Sequence, residues 1–284
     1  MFLVLSGNRH AVGYPSEFRN LLVPGIRSND MATEIFDIDS MPRGGPEASW
    51  LDRRLQTDRL EYLDRDGVDE LKRRVVHSLD RSGRIFGTHN RLAHIALDEV
   101  ADVPDPKILE LGSGHGGLSC ALLNMHPTAH VTVTDIEPTS VAAIAAGNLG
   151  RHPRAVVREM DATAIDAPDG HYDLAVFANS LHHLPPALAA RVFAEGTRAA
   201  DKLLIIDLPR LGPSRHLVQL ALALPLAMVV PYWHDAFISS LRAYSPSALR
   251  ALARYADPAI TVVLPRGGAF SPQIVVASRL RSRR

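Results

Sequence analysis

Glycines at alternate positions are the first residues of this sequence whose spacing suggests chemistry. They follow an apolar run, as Lys-Ile-Leu-Glu-Leu-Gly-Ser-Gly-His-Gly-Gly over residues 107–117. Because glycine has no Cβ and tolerates left-handed backbone conformations, such a loop can turn sharply after a strand and bring backbone N–H groups close to a ligand. The N-terminus of a following helix would point at the same place. The spacing therefore predicts a nucleotide-like cofactor at this loop.

The loop fits two cofactor patterns. Gly112, Gly114 and Gly117 satisfy the dinucleotide pattern G-x-G-x-x-G, which would indicate an NAD(P)-dependent oxidoreductase. Glu110 followed by Gly112, Gly114 and Gly116 satisfies a second pattern, an acidic residue before x-G-x-G-x-G. This second pattern resembles the S-adenosylmethionine (SAM) loop of class I methyltransferases. The elements that follow the loop have to decide between the two.

Short apolar strands alternate with helices beyond the loop. Strands are predicted at 108–111, 130–135, 155–160, 172–178 and 203–208, and helices at 117–125, 138–149 and 185–200. This alternation indicates a parallel sheet that is covered on both faces and binds ligands at the C-terminal ends of its strands. A further helix at 245–256 precedes two last strands at 260–264 and 273–277. Their connection is too short for a crossover helix, so this pair must be antiparallel.

The order of these elements resembles the class I methyltransferase fold, a doubly wound seven-stranded α/β sheet with an antiparallel C-terminal strand. The resemblance covers roughly residues 86–278. We expect a methyltransferase domain with an apolar lid, an N-terminal arm, a helical extension and a tail. The predicted bounds are 1–46 for a loosely ordered arm, 47–103 for a charged helical extension, 104–279 for the SAM-binding domain with its lid at 213–244, and 280–284 for a basic tail.

Acidic residues at the strand ends fit the same family. Asp135 closes the second strand roughly 20 residues beyond the glycines, where a carboxylate can accept hydrogen bonds from ribose hydroxyls. The resemblance implies that Ile136 packs on the adenine and that Glu110 helps hold the methionine end. It also implies that Asp161 and the Ala162 N–H bind the adenine edge, which a dehydrogenase does not require. The expected SAM contacts are Glu110, Gly112, Ser113, Gly114, Gly116, Asp135, Ile136, Asp161, Ala162 and Asn179.

The end of the fourth strand indicates the type of acceptor. Methyltransferases that act on amino groups of bases or of glutamine carry Asn or Asp before Pro-Pro and an aromatic residue, whereas Asn179 precedes Ser-Leu. The following Leu-His-His-Leu-Pro is similar to small-molecule methyltransferases of quinone and polyketide pathways. His182 and His183 are the candidate acid/base groups, because an imidazole with a pKa near 6.5 can take a proton from a phenol, enol or ring carbon. We favour His182, which is nearer the strand end.

An apolar run at 217–230 follows the fifth strand and is interrupted by Pro225. It is shorter than the roughly 20 residues that a membrane span requires. We interpret it as a lid over a lipophilic acceptor, with a plain core helix as the alternative. The lid, the His182 loop and residues 233–244 are expected to form the acceptor pocket.

Composition excludes several other classes. The 31 basic residues equal the 31 acidic ones, so no global field attracts nucleic acid. The single cysteine, Cys120, excludes an internal disulfide and a Cys-based zinc cluster, and no metal site is expected. The N-terminus lacks the features of a secretion signal, so the expected location is the cytoplasm.

These observations favour SAM-dependent methyl transfer to O or C of a small, lipophilic aromatic or polyketide-like acceptor. The expected partner is that small molecule, without nucleic acid or a transmembrane segment, and the sequence leaves a homodimer open. Two alternatives remain. One is an NAD(P)-dependent oxidoreductase, and the other is a non-catalytic SAM-binding scaffold protein.

Overall fold

A computed structural model describes residues 37–61, 87–228, 230–265 and 271–279 of the chain. The helices α1 to α8 of these residues are Trp50–Arg54, Thr88–Asp98, Gly117–Met125, Pro138–Ala146, Pro186–Ala199, Pro213–Ala227, Pro231–Arg242 and Pro246–Ala256. The strands β1 to β7 are Lys107–Leu111, His130–Asp135, Ala155–Glu159, Tyr172–Ala178, Ala200–Asp207, Ile260–Val263 and Gln273–Arg279. Short 3-10 turns lie at Ile38–Ser40, Leu149–Arg151 and Leu181–His183.

All seven strands belong to one sheet with the order β3-β2-β1-β4-β5-β7-β6. Strands β1 to β5 pair in parallel, and β7 lies antiparallel between β5 and β6. The predicted fold class is confirmed. The strand order reverses between β1 and β4, and in doubly wound sheets this switch point opens a crevice at the carboxyl ends of the strands.

Helices cover both faces of the sheet. On one face, Leu92 of α2 and Leu122 of α3 pack in the same cluster as Ile108 of β1. On the other face, Phe193 of α5 packs in the same cluster as Leu109 of β1. Since neighbouring residues of one strand are buried on opposite faces, the strands are almost continuously apolar, which is the pattern of a covered parallel sheet.

Two boundaries differ from the prediction by three residues, more than any other boundary. The helix predicted at 138–149 ends at Ala146, because Gly147 is extended with ψ −164°, and a 3-10 turn follows it. Gly150 also passes so close to Ala145 that an added Cβ would lie 1.9 Å from the Ala145 carbonyl oxygen. Strand β5 begins at Ala200, three residues before the predicted start, because its pairing with β4 already begins there.

The described part of the N-terminal segment is packed against the domain, unlike the loosely ordered arm that was expected. Ile38 and Met41 are each 4% exposed and join the cluster that contains Phe193. In the predicted helical extension, α1 is one short helix, and residues 55–61 are not helical. Residues 1–36, the charged stretch at 62–86 and the basic tail lie outside the described residues. None of the described helices has both the length and the apolar character needed to cross a bilayer.

Candidate active site

The glycine loop has the backbone that its sequence predicts. Gly112, Gly114 and Gly116 all have left-handed φ angles, 62°, 57° and 74°. An added Cβ at Gly112 would lie 3.2 Å from the Ser180 Oγ, and one at Gly116 would lie 2.4 Å from Leu149 Cδ1. The loop therefore turns at the carboxyl end of β1 in a conformation that favours glycine, and α3 begins directly after it.

Asp135 ties this loop to the end of β2. Its side chain is almost fully buried, and its Oδ2 accepts the Gly114 N–H at 2.8 Å while its Oδ1 accepts the Glu137 N–H at 3.0 Å. The Ser113 N–H also donates to the Thr134 carbonyl at 2.9 Å. Each carboxylate oxygen can accept more than one hydrogen bond. The predicted ribose contact is therefore compatible with the bonds from Gly114 and Glu137.

Glu110 lies beneath the first turns of α3. It is buried, and its carboxylate accepts a short hydrogen bond from the Ser119 hydroxyl. Burial raises the pKa of Glu110 to about 7, although the Ser119 hydrogen bond opposes the shift. The side chain thus joins β1 to α3, and its predicted contact with the methionine end of SAM stays a prediction.

The remaining predicted cofactor residues lie at the same edge of the sheet. Ile136 follows β2 with 38% of its surface exposed. Asp161 follows β3 and is half-buried, and its Oδ1 accepts both the N–H and the hydroxyl of Thr163 at 2.8 Å. Ala162 comes next in this turn. Asn179 follows β4 with a φ of 52°, a left-handed conformation that costs free energy in a residue with a Cβ and is typical of functional sites.

The two predicted histidines form a buried turn directly after β4. Asp207, the last residue of β5, orients His182, because its Oδ2 accepts the His182 N–H at 3.0 Å and its Oδ1 lies 2.6 Å from the ring Nδ1. The His182 and His183 rings are in contact, with centroids 4.2 Å apart. The carboxyl ends of β4 and β5 therefore fix the direction of the first ring.

Glu61 is the residue at this site that the sequence analysis missed. It is 2% exposed, with Oε1 3.6 Å from His182 Nε2 and Oε2 3.8 Å from His183 Nε2. The Ser239 hydroxyl of α7 donates to Oε1 at 2.7 Å. Neither spacing nor motif distinguishes Glu61 from the other acids of its charged segment, which was interpreted as a solvated face.

The charges of this cluster depend on one another. Burial alone would lower the pKa of His182, but Asp207 and Glu61 outweigh it and raise the pKa to about 10. Burial alone would raise the pKa of Glu61, but His183 and His182 lower it to about 2. The two carboxylates therefore favour the protonated form of His182, which disfavours this ring as a general base in the metal-free protein.

Two buried arginines hold the N-terminal segment against this end of the sheet. Arg43 Nη1 donates to the carbonyls of His182, Leu184 and Arg242 at 3.0–3.1 Å, and the guanidinium lies 4.4 Å from the centre of the Tyr244 ring. Burial lowers the pKa of Arg43. These contacts join the histidine turn to the end of α7.

Arg210 makes the second connection. Its guanidinium binds the Asp52 carboxylate at 2.8 Å and donates to the Asp52 and Leu55 carbonyls. It also donates to the carbonyls of Leu241 and Ala243. A single buried cation therefore satisfies acceptors from α1 and from the end of α7.

The predicted lid consists of α6 and α7, which pack against each other. In α6, His216 and Leu220 are buried, whereas Leu217, Val218 and Leu222 are 47%, 59% and 75% exposed. Most of the apolar side chains of α6 that the structure describes are therefore exposed. In α7, Ser239 and Arg242 contact the histidine cluster, so the structure brings the 233–244 segment to the His182 loop as expected.

Residues 108–202 match the family model described as a methyltransferase domain. This match agrees with the seven-stranded order and with the left-handed glycines. Residues 108–202 are similar to methyltransferase domains, on a sheet with the strand order of the class I fold. A solved methyltransferase structure, that of the SAM-dependent enzyme SibL in its apo form, shares the fold with a TM-score of 0.54 and 18% identity over 76% of this chain and 60% of that one.

Two curated proteins are similar over shorter stretches. A malonyl-(acyl-carrier protein) O-methyltransferase of Geobacter sulfurreducens is 33% identical over 45% of this chain and 49% of its own length. A release factor glutamine methyltransferase of Deinococcus radiodurans is 39% identical over 18% of each chain. The chain thus spans at most about half the length of these curated relatives.

Proposed function

We propose that this protein transfers a methyl group from SAM to oxygen or carbon of a small, lipophilic acceptor. The observation that carries the proposal is the loop of three left-handed glycines tied to buried Asp135 within a methyltransferase domain. The exposed Ile136 offers an apolar face for the adenine, and Asp161 and Ala162 lie at the next strand end for its polar edge.

The oxidoreductase alternative has less support. Of the two cofactor patterns, only the dinucleotide pattern requires glycine at position 117. Packing already explains this glycine, because an added Cβ would lie 2.6 Å from the His89 ring of α2. The antiparallel β7 also fits a methyltransferase sheet, since dinucleotide domains usually end with another parallel unit. The scaffold alternative stays open until turnover is measured.

An oxygen or carbon acceptor agrees with the residues after β4. Asn179 is exposed and precedes Ser180 and Leu181, without the Pro-Pro and aromatic residue expected for attack by an amide nitrogen. The name of the Geobacter relative describes O-methyl transfer, which supports oxygen. The exposed apolar side chains of α6 support a lipophilic acceptor, because they would be covered when it binds.

Catalysis in this proposal rests mainly on positioning. SAM is an activated donor, so alignment of the acceptor and exclusion of water supply much of the rate. Asp207 favours the protonated form of His182, which leaves His183, beside Glu61, as the candidate acid/base group.

Calorimetric titration with SAM and with NADH tests the cofactor. We expect SAM to bind and NADH not to bind. Asp135→Ala should weaken SAM binding by about 1–3 kcal/mol, because ribose hydroxyls would lose a buried acceptor. Asp166→Ala is the matched control, since its side chain is 89% exposed. Tight NADH binding without SAM binding would overturn the proposal, and unchanged SAM affinity in Asp135→Ala would refute the ribose contact.

Charged substitutions on α6 test the acceptor. Leu224 is 47% exposed, so Leu224→Glu should keep the fold and the SAM affinity but reduce turnover on a panel of phenolic acceptors. Leu220 is 6% exposed, and Leu220→Glu should instead destabilise the protein. Full turnover of Leu224→Glu on an identified acceptor would contradict the lid. Turnover is measured with SAM labelled in its methyl group.

A further inference from the structure

Three side chains at the ends of β4 and β5 offer the ligand set of a metal. Glu61, His182 and His183 each present one ligand atom, and these atoms lie within 4.8 Å of one another. All three residues are buried. They come from two segments 121 positions apart in the sequence, which is why no motif predicts the cluster.

The separations suit coordination. A tetrahedral ion with bonds of ~2.1 Å to nitrogen and oxygen has ligand atoms about 3.4 Å apart. The carboxylate of Glu61 lies 3.6 Å from Nε2 of His182 and 3.8 Å from Nε2 of His183. The ligand atoms of the three residues all lie within 4.8 Å of one another, so side-chain rotation could bring them around one ion. The Glu61 carboxylate already directs one oxygen at each ring.

A second set of residues orients these ligands as metal sites require. Metal-binding histidines usually give their other ring N–H to a carboxylate, which fixes the tautomer. Asp207 Oδ1 lies 2.6 Å from His182 Nδ1, so Nε2 is the nitrogen that faces Glu61. The Ser239 hydroxyl holds Glu61 Oε1 at 2.7 Å in the same way.

The backbone of the histidine turn is also fixed. Arg43 donates to the His182 carbonyl and Arg242 donates to the His183 carbonyl. The ligands therefore do not depend on a flexible loop, and preorganised ligands lose little conformational entropy when an ion binds.

We propose that Glu61, His182 and His183 bind one divalent transition-metal ion, of the zinc or ferrous type, with Asp207 and Ser239 as positioning residues. Two imidazoles and one carboxylate select such ions over Mg²⁺ or Ca²⁺, which prefer all-oxygen ligands. The ion would join Glu61, in the segment that follows α1, to the histidine turn after β4. Each imidazole binds the ion through a deprotonated Nε2, so binding releases the Nε2 proton that His182 carries in the metal-free protein. The acid/base role proposed for His183 therefore applies to the metal-free protein, and the SAM loop is unaffected.

Metal titration of the full-length protein tests the proposal without any acceptor. The protein is freed of metal with a chelator, checked by circular dichroism, and titrated with Zn²⁺ by calorimetry and with Co²⁺ by visible absorption. We expect one equivalent of each ion, a Co²⁺ spectrum of nitrogen and oxygen ligands, and a higher Tm with Zn²⁺.

Variants locate the ion. Glu61→Gln and His183→Gln should each weaken Zn²⁺ binding by about 100-fold or more, and Asp207→Asn by about 10–100-fold. His171→Gln, at an exposed histidine, and Cys120→Ser should bind as the parent does. If Glu61→Gln fails to fold, the Zn²⁺ affinity of His183→Gln still tests whether the ion binds at this cluster.

The proposal is overturned if the metal-free, folded parent takes up no Zn²⁺ or Co²⁺. It is also overturned if uptake is unchanged in both Glu61→Gln and His183→Gln, since the ion would then lie elsewhere. SAM titration of the same samples distinguishes a failure of the metal proposal from a failure of the proposed function. SAM binding should be equal with and without metal.

Discussion

The glycine loop and the histidine cluster lie at the same edge of one sheet but are built differently. The glycine loop and the Asp135 turn lie within one continuous stretch, residues 107–137. Their geometry depends on glycine φ angles and on backbone N–H groups that donate to Asp135. The cluster uses side chains from distant segments, and its Arg43–Arg242 contact spans 199 positions. The loop is therefore a local structure, whereas the cluster exists only when the N-terminal segment is docked.

Arg210→Met should have the largest effect, on the docked segment. It leaves the Asp52 carboxylate without its cation and several buried carbonyls without a donor, so we expect a loss of about 3–5 kcal/mol in the free energy of unfolding, measured with urea. Arg158→Met is the control, because its partner Asp166 is exposed, and it should cost less than about 1 kcal/mol. An equal cost for both variants would show that the segment is not held by this contact.

Glu110→Gln tests whether burial beneath the loop raises the pKa of the Glu110 carboxyl group. The folded pKa of about 7 exceeds the ordinary value of 4.5, so the folded state holds the proton more tightly than the unfolded state. The free energy of unfolding should therefore fall as pH rises from 4.5 to 7, by on the order of 3 kcal/mol from this group. Urea unfolding at several pH values should show this decline in the parent relative to Glu110→Gln. Parallel pH profiles of the two proteins would contradict the shift.

Gly114→Val tests whether the loop functions on its own. Its φ of 57° is unfavourable for a β-branched residue, and the side chain would occupy space for the cofactor. We expect SAM affinity to fall about 100-fold, or about 2.7 kcal/mol, with the fold and the histidine cluster retained. Gly212→Val is the control, since an added Cβ there meets no described atom within 4 Å. Binding within a few-fold of the parent would refute the predicted loop contact.

The contrast also explains how much the sequence predicts. All seven strands were predicted with small boundary errors, because apolar runs and glycines report local backbone preferences. The same applies to the three left-handed glycines, whereas the ribose contact of Asp135 stays a prediction. Glu61 was missed because its burial depends on the packing of α7 and the histidine turn, which the residues around it do not encode. Arg43 was missed for the same reason, as its acceptors are carbonyls of remote residues.

The histidine prediction shows an intermediate case. The motif identified His182 and His183 as the polar residues after β4, and the structure places both there. The raised pKa of His182 could not be inferred, since it depends on Asp207 and Glu61, which approach from β5 and from the N-terminal segment. The sequence pattern therefore located both residues, whereas the charge of His182 depends on the tertiary structure.

The position of β7 has a consequence for biosynthesis. Strand β6 pairs only with β7 among the described strands, and β7 inserts between β6 and β5 although it is the last of them to be synthesised. Until residues 273–279 leave the ribosome, β5 presents an open edge and β6 has no partner. The sheet is therefore completed only after translation of its final strand, and until then the edge of β5 is open to pairing with another chain.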